Sequence, residues 1–220
     1  MIKEKQSELK MADNFWDNLM GDDQGAATYM ETYGEGPGSD TRNLIFKFVD
    51  EGESVLDVGC GPGWNYDHIL KYATHVGEYK GKDYSERFVR VANQRHEGKF
   101  EIGDIRNFGE PDKSWDVVLL QDVLEHTNGY EKPLAEAIRV ARKRIIVTFW
   151  RGQMMDDYEN DNGEDMIRDD GNDGWGSEYS RKKWEQYLDG LGLHSLDVQT
   201  DEGANRWHRV YIIDLEKSNG

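Results

Sequence analysis

Residues 54–63 read Ser-Val-Leu-Asp-Val-Gly-Cys-Gly-Pro-Gly, an apolar run that passes directly into a glycine-rich turn. Short apolar runs of this kind are typical of buried parallel strands. The alternate glycines Gly59, Gly61 and Gly63 permit a sharp backbone bend and a close approach to a ligand, which is more than an ordinary strand-to-helix turn requires. The segment therefore predicts a strand, a turn that holds a nucleotide-like ligand, and a helix over 64–72.

The spacing of these glycines argues against a nicotinamide dinucleotide. The dinucleotide fingerprint Gly-x-Gly-x-x-Gly places its third glycine where the helix packs closely on the strand. Counted from Gly59 that position holds Trp64, and counted from Gly61 it holds Tyr66. Bulky aromatic side chains therefore stand where the dinucleotide fold needs no side chain.

The order Leu-Asp-Val-Gly-Cys-Gly-Pro-Gly instead resembles the first motif of class I S-adenosylmethionine-dependent methyltransferases. The pattern Gly-x-Asp-x-Ser at 81–85 resembles the second motif of that family, and Asp-Ile at 104–105 resembles the third. The resemblance implies that S-adenosylmethionine is the cofactor and that each motif contacts one part of it. The residues expected to contact it are Asp57, Gly59, Cys60, Gly61, Pro62 and Gly63 at the methionine half, Asp83 at the ribose, and Asp104 and Ile105 at the adenine. Tyr84 is expected to contact the cofactor as well.

The acid at the end of the second predicted strand is also a candidate on its own chemistry. Asp83 lies about 20 residues past the glycine turn, and one carboxylate offers two acceptor oxygens to the vicinal hydroxyls of a ribose. Glu78 is the rival acid, but it lies at the start of the strand and so at the wrong edge of the sheet. A capping role for Asp83 and a simple turn role for Asp104 remain the alternatives.

A fourth apolar strand is predicted over 115–120 and is followed by Gln-Asp-Val-Leu-Glu-His. This resembles the post-strand signature of small-molecule, type 11-like methyltransferases, and it lacks the Asn/Asp-Pro-Pro-Tyr/Phe of enzymes that methylate bases or glutamine. The resemblance implies that Gln121 and Asp122 face the transferred methyl group. His126 is the candidate general base, because its ordinary pKa suits proton removal near neutrality. The alternative is a helical His126 bonded to backbone; His208 and His194 are weaker candidates.

Strands alternate with helical patterns along the chain, which predicts an α/β, doubly wound, Rossmann-like sheet with helices on both faces. The resemblance implies seven strands, mostly parallel, with an antiparallel C-terminal hairpin over about 194–200 and 207–215. We expect one domain over 44–220, preceded by a helical cap over 1–43. In that cap Tyr29 and Tyr33 share a helical face and either pack the helix down or close over the cofactor.

The sequence also predicts where some helices begin and end. We expect helix caps at Asp40 and Ser180, and a cationic last helical turn at Arg139, Arg142, Lys143 and Arg144.

Composition restricts the partners. The 220 residues carry a net charge of −17, which opposes docking on phosphate backbones or anionic membranes, so nucleic acid is a disfavoured acceptor. The single cysteine, Cys60, excludes an intrachain disulfide and a cysteine-based zinc site. No run approaches the roughly 20 apolar residues that span a bilayer. These features predict a cytoplasmic protein with a small-molecule acceptor.

The stretch 151–176 is rich in Asp, Glu and Gly and is interpreted as a solvated insertion, with a lid over the acceptor as the alternative. A calcium loop does not fit, because Gly163 would put Tyr158 at the first ligand position and Gly174 would put Ser180 at the last. No metal site is expected anywhere in the chain.

These residues predict methyl transfer from a sulfonium to an oxygen or nitrogen of a small molecule. Such a reaction is an in-line displacement, in which the protein mainly holds donor and acceptor in contact. The rival class is an inactive protein that binds S-adenosylmethionine and regulates or scaffolds a partner. A nicotinamide-dependent oxidoreductase is a weaker third alternative because of Trp64.

Overall fold

The computed structural model describes residues 14–22, 24–26, 28, 39–150, 163–171, 174–199 and 208–217. The helices are α1 (Asn14–Met20), α2 (Asp40–Ile45), α3 (Trp64–Tyr72), α4 (Glu86–Arg95), α5 (Glu131–Val140) and α6 (Arg181–Gly190), with 3-10 turns at Phe46–Phe48 and Leu124–His126. The strands are β1 (Val55–Val58), β2 (Tyr79–Asp83), β3 (Phe100–Ile102), β4 (Trp115–Gln121), β5 (Ala141–Phe149), β6 (Asp169–Gly171), β7 (Gly174–Trp175), β8 (His194–Gln199) and β9 (Arg209–Asp214).

Seven of these strands form one sheet in the order β3-β2-β1-β4-β5-β9-β8. The first five pair in parallel, whereas β9 is antiparallel to both β5 and β8. From the central strand β1 the chain adds β2 and β3 on one side, and then crosses to the other side of β1 to add β4 and β5. The order of the strands therefore reverses between β1 and β4. Open α/β sheets bind ligands in the crevice at such a reversal. The predicted doubly wound sheet with an antiparallel C-terminal hairpin is confirmed.

Alternate side chains of the central strands divide the core into two layers. Leu56 and Val58 of β1 face a cluster with Leu134 of α5 and Trp184 of α6, while Val55 faces the opposite cluster, which α2, α3 and α4 cover. This alternation follows from the two-residue period of a strand, and both faces are apolar because both carry helices. Helices therefore cover both faces, as predicted.

Serine side chains begin three of the helices. Ser85 Oγ accepts from Phe88 N, and Ser180 Oγ accepts from Lys183 N, so the cap predicted at Ser180 is confirmed. The cap predicted at Asp40 is wrong: Ser39 Oγ accepts from Arg42 N, and Asp40 is already the first residue of α2. A carboxylate in a first turn stabilises a helix through its dipole instead of through a cap bond.

The basic cluster that was predicted to end a helix lies mostly on a strand. Only Arg139 is helical; Arg142, Lys143 and Arg144 belong to the start of β5. Lys143 and Arg144 both reach Glu53, at 3.0 and 2.6 Å, and the Glu53 side chain is only 4% exposed. These cations therefore neutralise buried carboxylates at the amino edge of the sheet, opposite the strand tips that the sequence predicts to bind ligand.

The described part of the N-terminal segment crosses the carboxyl edge of the sheet. The indole of Trp16 packs against Phe88 on one side and against His126 on the other, with ring centroids 6.3 and 4.9 Å apart. Asp17 Oδ1 accepts a 2.5 Å hydrogen bond from Ser85 Oγ. Helix α1 thus bridges the tips of β2 and β4. The predicted cap over 1–43 otherwise lies largely outside the described residues, as do Tyr29 and Tyr33 of its predicted helical face.

Part of the acidic stretch has regular structure. Strands β6 and β7 form an antiparallel pair, and Ser177 N donates to Glu125 O at 2.8 Å, which joins this segment to the 3-10 turn after β4. The described residues 164 and 166–169 are exposed, so the solvated insertion and the lid both stay predictions, while 151–162 and 172–173 lie outside the described residues. Across the described ranges no helix is long and apolar enough to cross a membrane.

Candidate functional site

A cavity of about 340 Å³ opens at the carboxyl edge of the sheet. This is within the range of roughly 300–1,000 Å³ that small-ligand sites occupy. Ten residues that the sequence predicted for the site line it: Gly59, Cys60, Gly61, Pro62, Asp83, Tyr84, Ile105, Gln121, Asp122 and His126. Asp57, Gly63 and Asp104 are not among its lining residues.

Positive backbone angles and close packing explain the glycines of the turn. Gly59 has φ 79°, and a Cβ there would stand 2.4 Å from Val123. Gly63 has φ 89°, and a Cβ there would stand 2.5 Å from the Phe100 ring. Gly61 has φ 52° and no heavy atom within 4 Å of an added Cβ, so its missing side chain leaves open space beside the cavity. The two outer glycines permit close packing, and the central one keeps the mouth of the turn clear.

Asp83 ends β2 and holds the glycine turn in place. Its Oδ2 accepts from Gly61 N at 2.8 Å and its Oδ1 accepts from Ser85 N at 2.9 Å. Burial raises the pKa of this carboxyl to about 6, so it is ionised at neutral pH. Each carboxylate oxygen keeps further acceptor capacity, so Asp83 can also receive two hydroxyl donors. Glu78, the rival acid, is exposed and does not line the cavity.

Asp57 lies behind the turn instead of in the cavity. It is fully buried, and its Oδ2 accepts from Asn65 Nδ2 at 3.0 Å and from the Tyr79 hydroxyl at 2.7 Å. The Oδ1 of Asn65 accepts in turn from Arg42 Nε at 2.8 Å. The Arg42 guanidinium lines the cavity and lies 5.6 Å above the Trp64 ring. Asp57 is therefore linked to the cavity wall through Asn65 and Arg42.

The Asp104 carboxylate bonds to Arg106, two residues further along the same turn. Both carboxylate oxygens accept from the Arg106 guanidinium, at 2.8 to 3.2 Å, and Oδ1 also accepts from Arg106 N. These bonds are those of a turn residue, which was the alternative role that the sequence allowed for Asp104. Ile105, the next residue, does line the cavity.

Asp122 lies at the tip of β4 in the left-handed region, with φ 50°. Its backbone N donates to Thr148 Oγ1 at 3.0 Å, and its Oδ1 accepts from the same hydroxyl at 2.6 Å. The Oδ2 lies 3.3 Å from His208 Nε2, and Nδ1 of that ring lies 3.0 Å from Thr41 Oγ1. Although burial opposes the shift, the neighbouring His208 lowers the pKa of Asp122. A non-glycine residue held at positive φ by several bonds is common at functional sites.

Glu125 and His126 follow on the 3-10 turn. Glu125 is 2% exposed, its Oε1 accepts from Trp150 N at 3.4 Å, and its Oε2 has no hydrogen-bond partner among the described residues. Burial raises the pKa of Glu125 to about 8, and the Asp122 charge adds to this effect. His126 Nδ1 lies 3.3 Å from Trp175 O, in keeping with the backbone-bonded alternative, while the residue also lines the cavity.

Several cavity residues were not selected from the sequence. Arg42 lies in a helix without a motif of its own. Glu125 belongs to the Gln-Asp-Val-Leu-Glu-His signature but was given no role, and His208 was ranked below His126. Aromatic side chains also contribute: the lining includes Trp16, Trp64, Phe88 and Trp150. Within the described ranges no group of three or more His, Cys, Asp or Glu is arranged to bind a metal ion.

Sequence comparison finds methyltransferases among the relatives of this chain. Residues 56–148 match the family model described as a methyltransferase domain. A sterol 24-C-methyltransferase of Aspergillus fumigatus is 33% identical over 121 residues, which cover 53% of this chain and 32% of that protein. Ajmaline N-methyltransferase of Rauvolfia serpentina is 34% identical over 106 residues, covering 43% and 36%. The chain therefore spans about a third of the length of these relatives.

Solved structures show the same fold at low sequence identity. A Thermotoga maritima S-adenosylmethionine-dependent methyltransferase aligns with a TM-score of 0.62 and 15% identity, covering 90% of this chain and 99% of that one. Phosphoethanolamine N-methyltransferase 2 of Haemonchus contortus, solved with S-adenosylhomocysteine, aligns with a TM-score of 0.65 and 15% identity, covering 92% and 59%. The fold predicted from the glycine motif is that of these enzymes.

Proposed function

We propose that this chain is a class I S-adenosylmethionine-dependent methyltransferase, because residues 56–148 match the methyltransferase-domain model. It transfers a methyl group to an oxygen or nitrogen of a small-molecule acceptor. The observation that carries the proposal is one cavity shared by the glycine turn after β1, the Asp83 tip of β2 and the Asp122 tip of β4. Donor and acceptor held in one such cavity can react by in-line displacement.

The residues around the glycine turn fit the cofactor. The open space beside Gly61 suits its methionine half, and the Asp83 carboxylate suits the two ribose hydroxyls. We assign the adenine to Tyr84 and Ile105, and we leave Asp104 out because its carboxylate is paired with Arg106. When bound, S-adenosylmethionine supplies an electrophilic methyl group on a positively charged sulfur.

Arg42 suits the carboxylate of the methionine half. Its guanidinium contributes positive charge to a cavity that also contains the acids Asp83, Asp122 and Glu125. A fork of N–H donors matches a carboxylate in shape and charge. Asp57 then acts as a positioning residue, because it orients Asn65 and Asn65 orients Arg42.

The acceptor belongs on the opposite side of the cavity, toward β4 and β5. Gln121 and Asp122 lie at the tip of β4, and His126, Glu125 and His208 surround them. His208 is engaged at both ring nitrogens, with Thr41 and Asp122, so it holds the Asp122 carboxylate in position. An acceptor that must lose a proton can give it to His126 or Glu125.

Ligand-dependent stability tests the cofactor half of this proposal. S-adenosylmethionine and S-adenosylhomocysteine should each raise the Tm of the purified protein, because a ligand that binds only the native state stabilises it. NAD should leave the Tm unchanged, since Trp64 occupies the place of the third dinucleotide glycine. A shift with NAD alone would favour an oxidoreductase instead.

Transfer itself requires a second measurement. Incubation with methyl-labelled cofactor and a pool of cell metabolites, followed by mass spectrometry, should show label in a small molecule. Cofactor binding without label in any metabolite or macromolecule would favour the regulatory or scaffold alternative.

A further inference from the structure

Two side-chain oxygens on the acceptor side of the cavity have no hydrogen-bond partner among the described residues. They are Glu125 Oε2 and Gln121 Oε1, and the two side chains are 2% and 9% exposed. A buried acceptor without a donor destabilises the fold, and a charged one does so more strongly. Both residues line the cavity, so a ligand with N–H groups can supply the missing donors.

The position of Glu125 separates it from the cofactor. Its 3-10 turn follows β4, and its Oε1 accepts from Trp150 N at the end of β5. The glycine turn follows β1, and the ribose acid follows β2, on the other side of β1 from β4. Glu125 therefore faces the acceptor half of the cavity.

Glu125 forms no ion pair in the described part of the chain. Asp122 lies beside His208, and Asp83 accepts two backbone N–H groups, whereas Glu125 accepts only from the backbone N–H groups of Trp150 and of Glu125 itself. The more distant His208 charge does not offset the effect of burial on Glu125. A carboxylate buried without a cation is costly, which is why Glu125 keeps its proton near neutral pH in the free protein. A ligand that brings positive charge removes this cost and favours the ionised carboxylate.

Aromatic rings occupy the same side of the cavity. Trp150 lines the cavity, and its backbone N–H donates to Glu125. The rings of Trp16 of α1 and His126, the residue that follows Glu125, form a T-shaped contact with centroids 4.9 Å apart. Indole faces attract ammonium groups, and the attraction is strongest where water is excluded. Carboxylate and indole together select a cation over a neutral group of equal size.

We propose that the methyl acceptor is an amine with an apolar body, whose nitrogen binds Glu125 between Trp16 and Trp150 and gives its proton to that carboxylate. This inference rests on the proposed methyl transfer and specifies its substrate class. An ammonium has no lone pair and is repelled by a sulfonium, so it must lose a proton before it can react.

The ammonium proton passes to an oxygen of the ionised Glu125 carboxylate, and the freed nitrogen lone pair forms the new N–CH3 bond. The S–CH3 bond breaks with its electron pair remaining on sulfur, which leaves the neutral thioether S-adenosylhomocysteine. A carboxyl group with a pKa of about 8 is matched to a proton exchange of this kind. The product is a methylated ammonium, or a methylamine once the proton equilibrates with water.

Ligand binding to the S-adenosylhomocysteine complex tests the proposal with matched probes. Benzylamine and benzyltrimethylammonium carry the positive charge, and benzyl alcohol is their neutral counterpart. Titration calorimetry should show that both cations bind at least tenfold more tightly than the alcohol. Glu125→Gln should abolish this preference, while the exposed control Glu97→Gln should retain it.

Each outcome has a defined meaning. Equal affinity for alcohol and amine, a preference that survives Glu125→Gln, or no binding of any probe would overturn the amine assignment. Failure of S-adenosylhomocysteine itself to bind would overturn the proposed function instead. Unchanged S-adenosylhomocysteine affinity and far-UV circular dichroism in Glu125→Gln show that a lost preference is not a loss of fold.

Turnover gives an independent readout. With labelled cofactor, benzylamine should yield N-methylbenzylamine, and the rate should fall at least tenfold in Glu125→Gln but not in Glu97→Gln. Label on benzyl alcohol and none on benzylamine would identify a hydroxyl acceptor, which contradicts this inference and leaves the proposed function standing.

Discussion

The Asp83 carboxylate holds the glycine turn and faces the cavity at the same time. It accepts from Gly61 N and Ser85 N, so its position is fixed before any ligand arrives. Replacement by alanine should weaken S-adenosylhomocysteine binding at least about tenfold, or 1.4 kcal/mol, because both ribose acceptors and the tether to the turn are lost. Titration calorimetry measures the change.

Glu78→Ala is the control for Asp83→Ala, since Glu78 is an exposed acid just before the same strand. It should bind S-adenosylhomocysteine with wild-type affinity. If the two variants behaved in the opposite way, the ribose role would pass to Glu78. A folded Asp83→Ala protein is recognised by an unchanged far-UV spectrum.

The raised pKa of Glu125 makes stability depend on pH. The folded protein holds its proton up to about pH 8, whereas the unfolded chain loses it near pH 4.5. Between these values the unfolded state binds fewer protons, so this group destabilises the fold progressively as pH rises. Glu125→Gln cannot ionise, so its free energy of unfolding should rise relative to that of the wild type by about 3.5 kcal/mol from pH 5 to pH 8. Urea unfolding of both proteins at both pH values measures this difference. If the free energy of unfolding changed by the same amount in both proteins between pH 5 and pH 8, the pKa of Glu125 would not be raised by folding.

The sequence identified single residues wherever a local motif carried the signal. The turn over 59–63 and Asp83 could be predicted because strand, glycines and acid are consecutive or regularly spaced. Arg42 and His208 could not, because they reach the cavity through tertiary contacts with Asn65 and Asp122, 23 and 86 residues away in the sequence. Asp104 was expected to face adenine, but a guanidinium two residues further along the chain holds its carboxylate.

At the scale of elements, α1 and the β6–β7 pair meet over the cavity. A Cβ on Gly174 of β7 would stand 2.2 Å from the Phe15 ring of α1. Gly174→Val should therefore displace α1, and with it Trp16, from the mouth of the cavity. We expect several-fold weaker binding of S-adenosylhomocysteine, measured by calorimetry, with little change in Tm, because α1 contributes few residues to the two large core clusters.

Gly190→Ala is the matched control, because an added Cβ there meets no heavy atom within 4 Å. Its affinity should equal that of the wild type. Wild-type affinity in Gly174→Val as well would mean that the contact between β7 and α1 does not restrict the cavity.

Element boundaries were predictable where propensity and packing agree. Helix α3 and strand β2 lie at their predicted positions because caps, glycines and apolar residues change together there. The boundary between α5 and β5 was misplaced by several residues, because apolar Ala141 continues the helical period and the cations suit a helix end. The acids that draw Arg142 and Arg144 onto the strand, Asp116 and Asp50, are distant in the sequence and carry no local signal.

At the scale of the whole molecule, the ligand cavity and a buried ion-pair cluster lie at opposite edges of the sheet. The carboxyl edge holds the cavity, while at the amino edge Glu53 pairs with Lys143 and Arg144. Glu53→Gln should lower the free energy of unfolding by about 3 kcal/mol, because it removes the buried charge that two cations share. S-adenosylhomocysteine affinity should not change, since the substitution lies at the opposite end of the strands.

Urea unfolding and calorimetry on the same preparations separate the two effects. Glu51→Gln, at an exposed neighbouring position, should change neither quantity. A loss of ligand affinity in Glu53→Gln that matches its loss of stability would show that the two edges are coupled.

The single thiol of the chain lies inside the ligand-binding turn. Cys60 is 7% exposed and lines the cavity, and burial, together with the charges of Asp83 and Asp57, raises its thiol pKa well above the ordinary value. Only the thiolate reacts quickly with alkylating reagents, so labelling at neutral pH should be slow. Because Cys60 lines the cavity, a ligand that fills the cavity should slow iodoacetamide labelling further. The labelling rate of the native protein therefore reports how far the cavity is occupied, without an engineered probe.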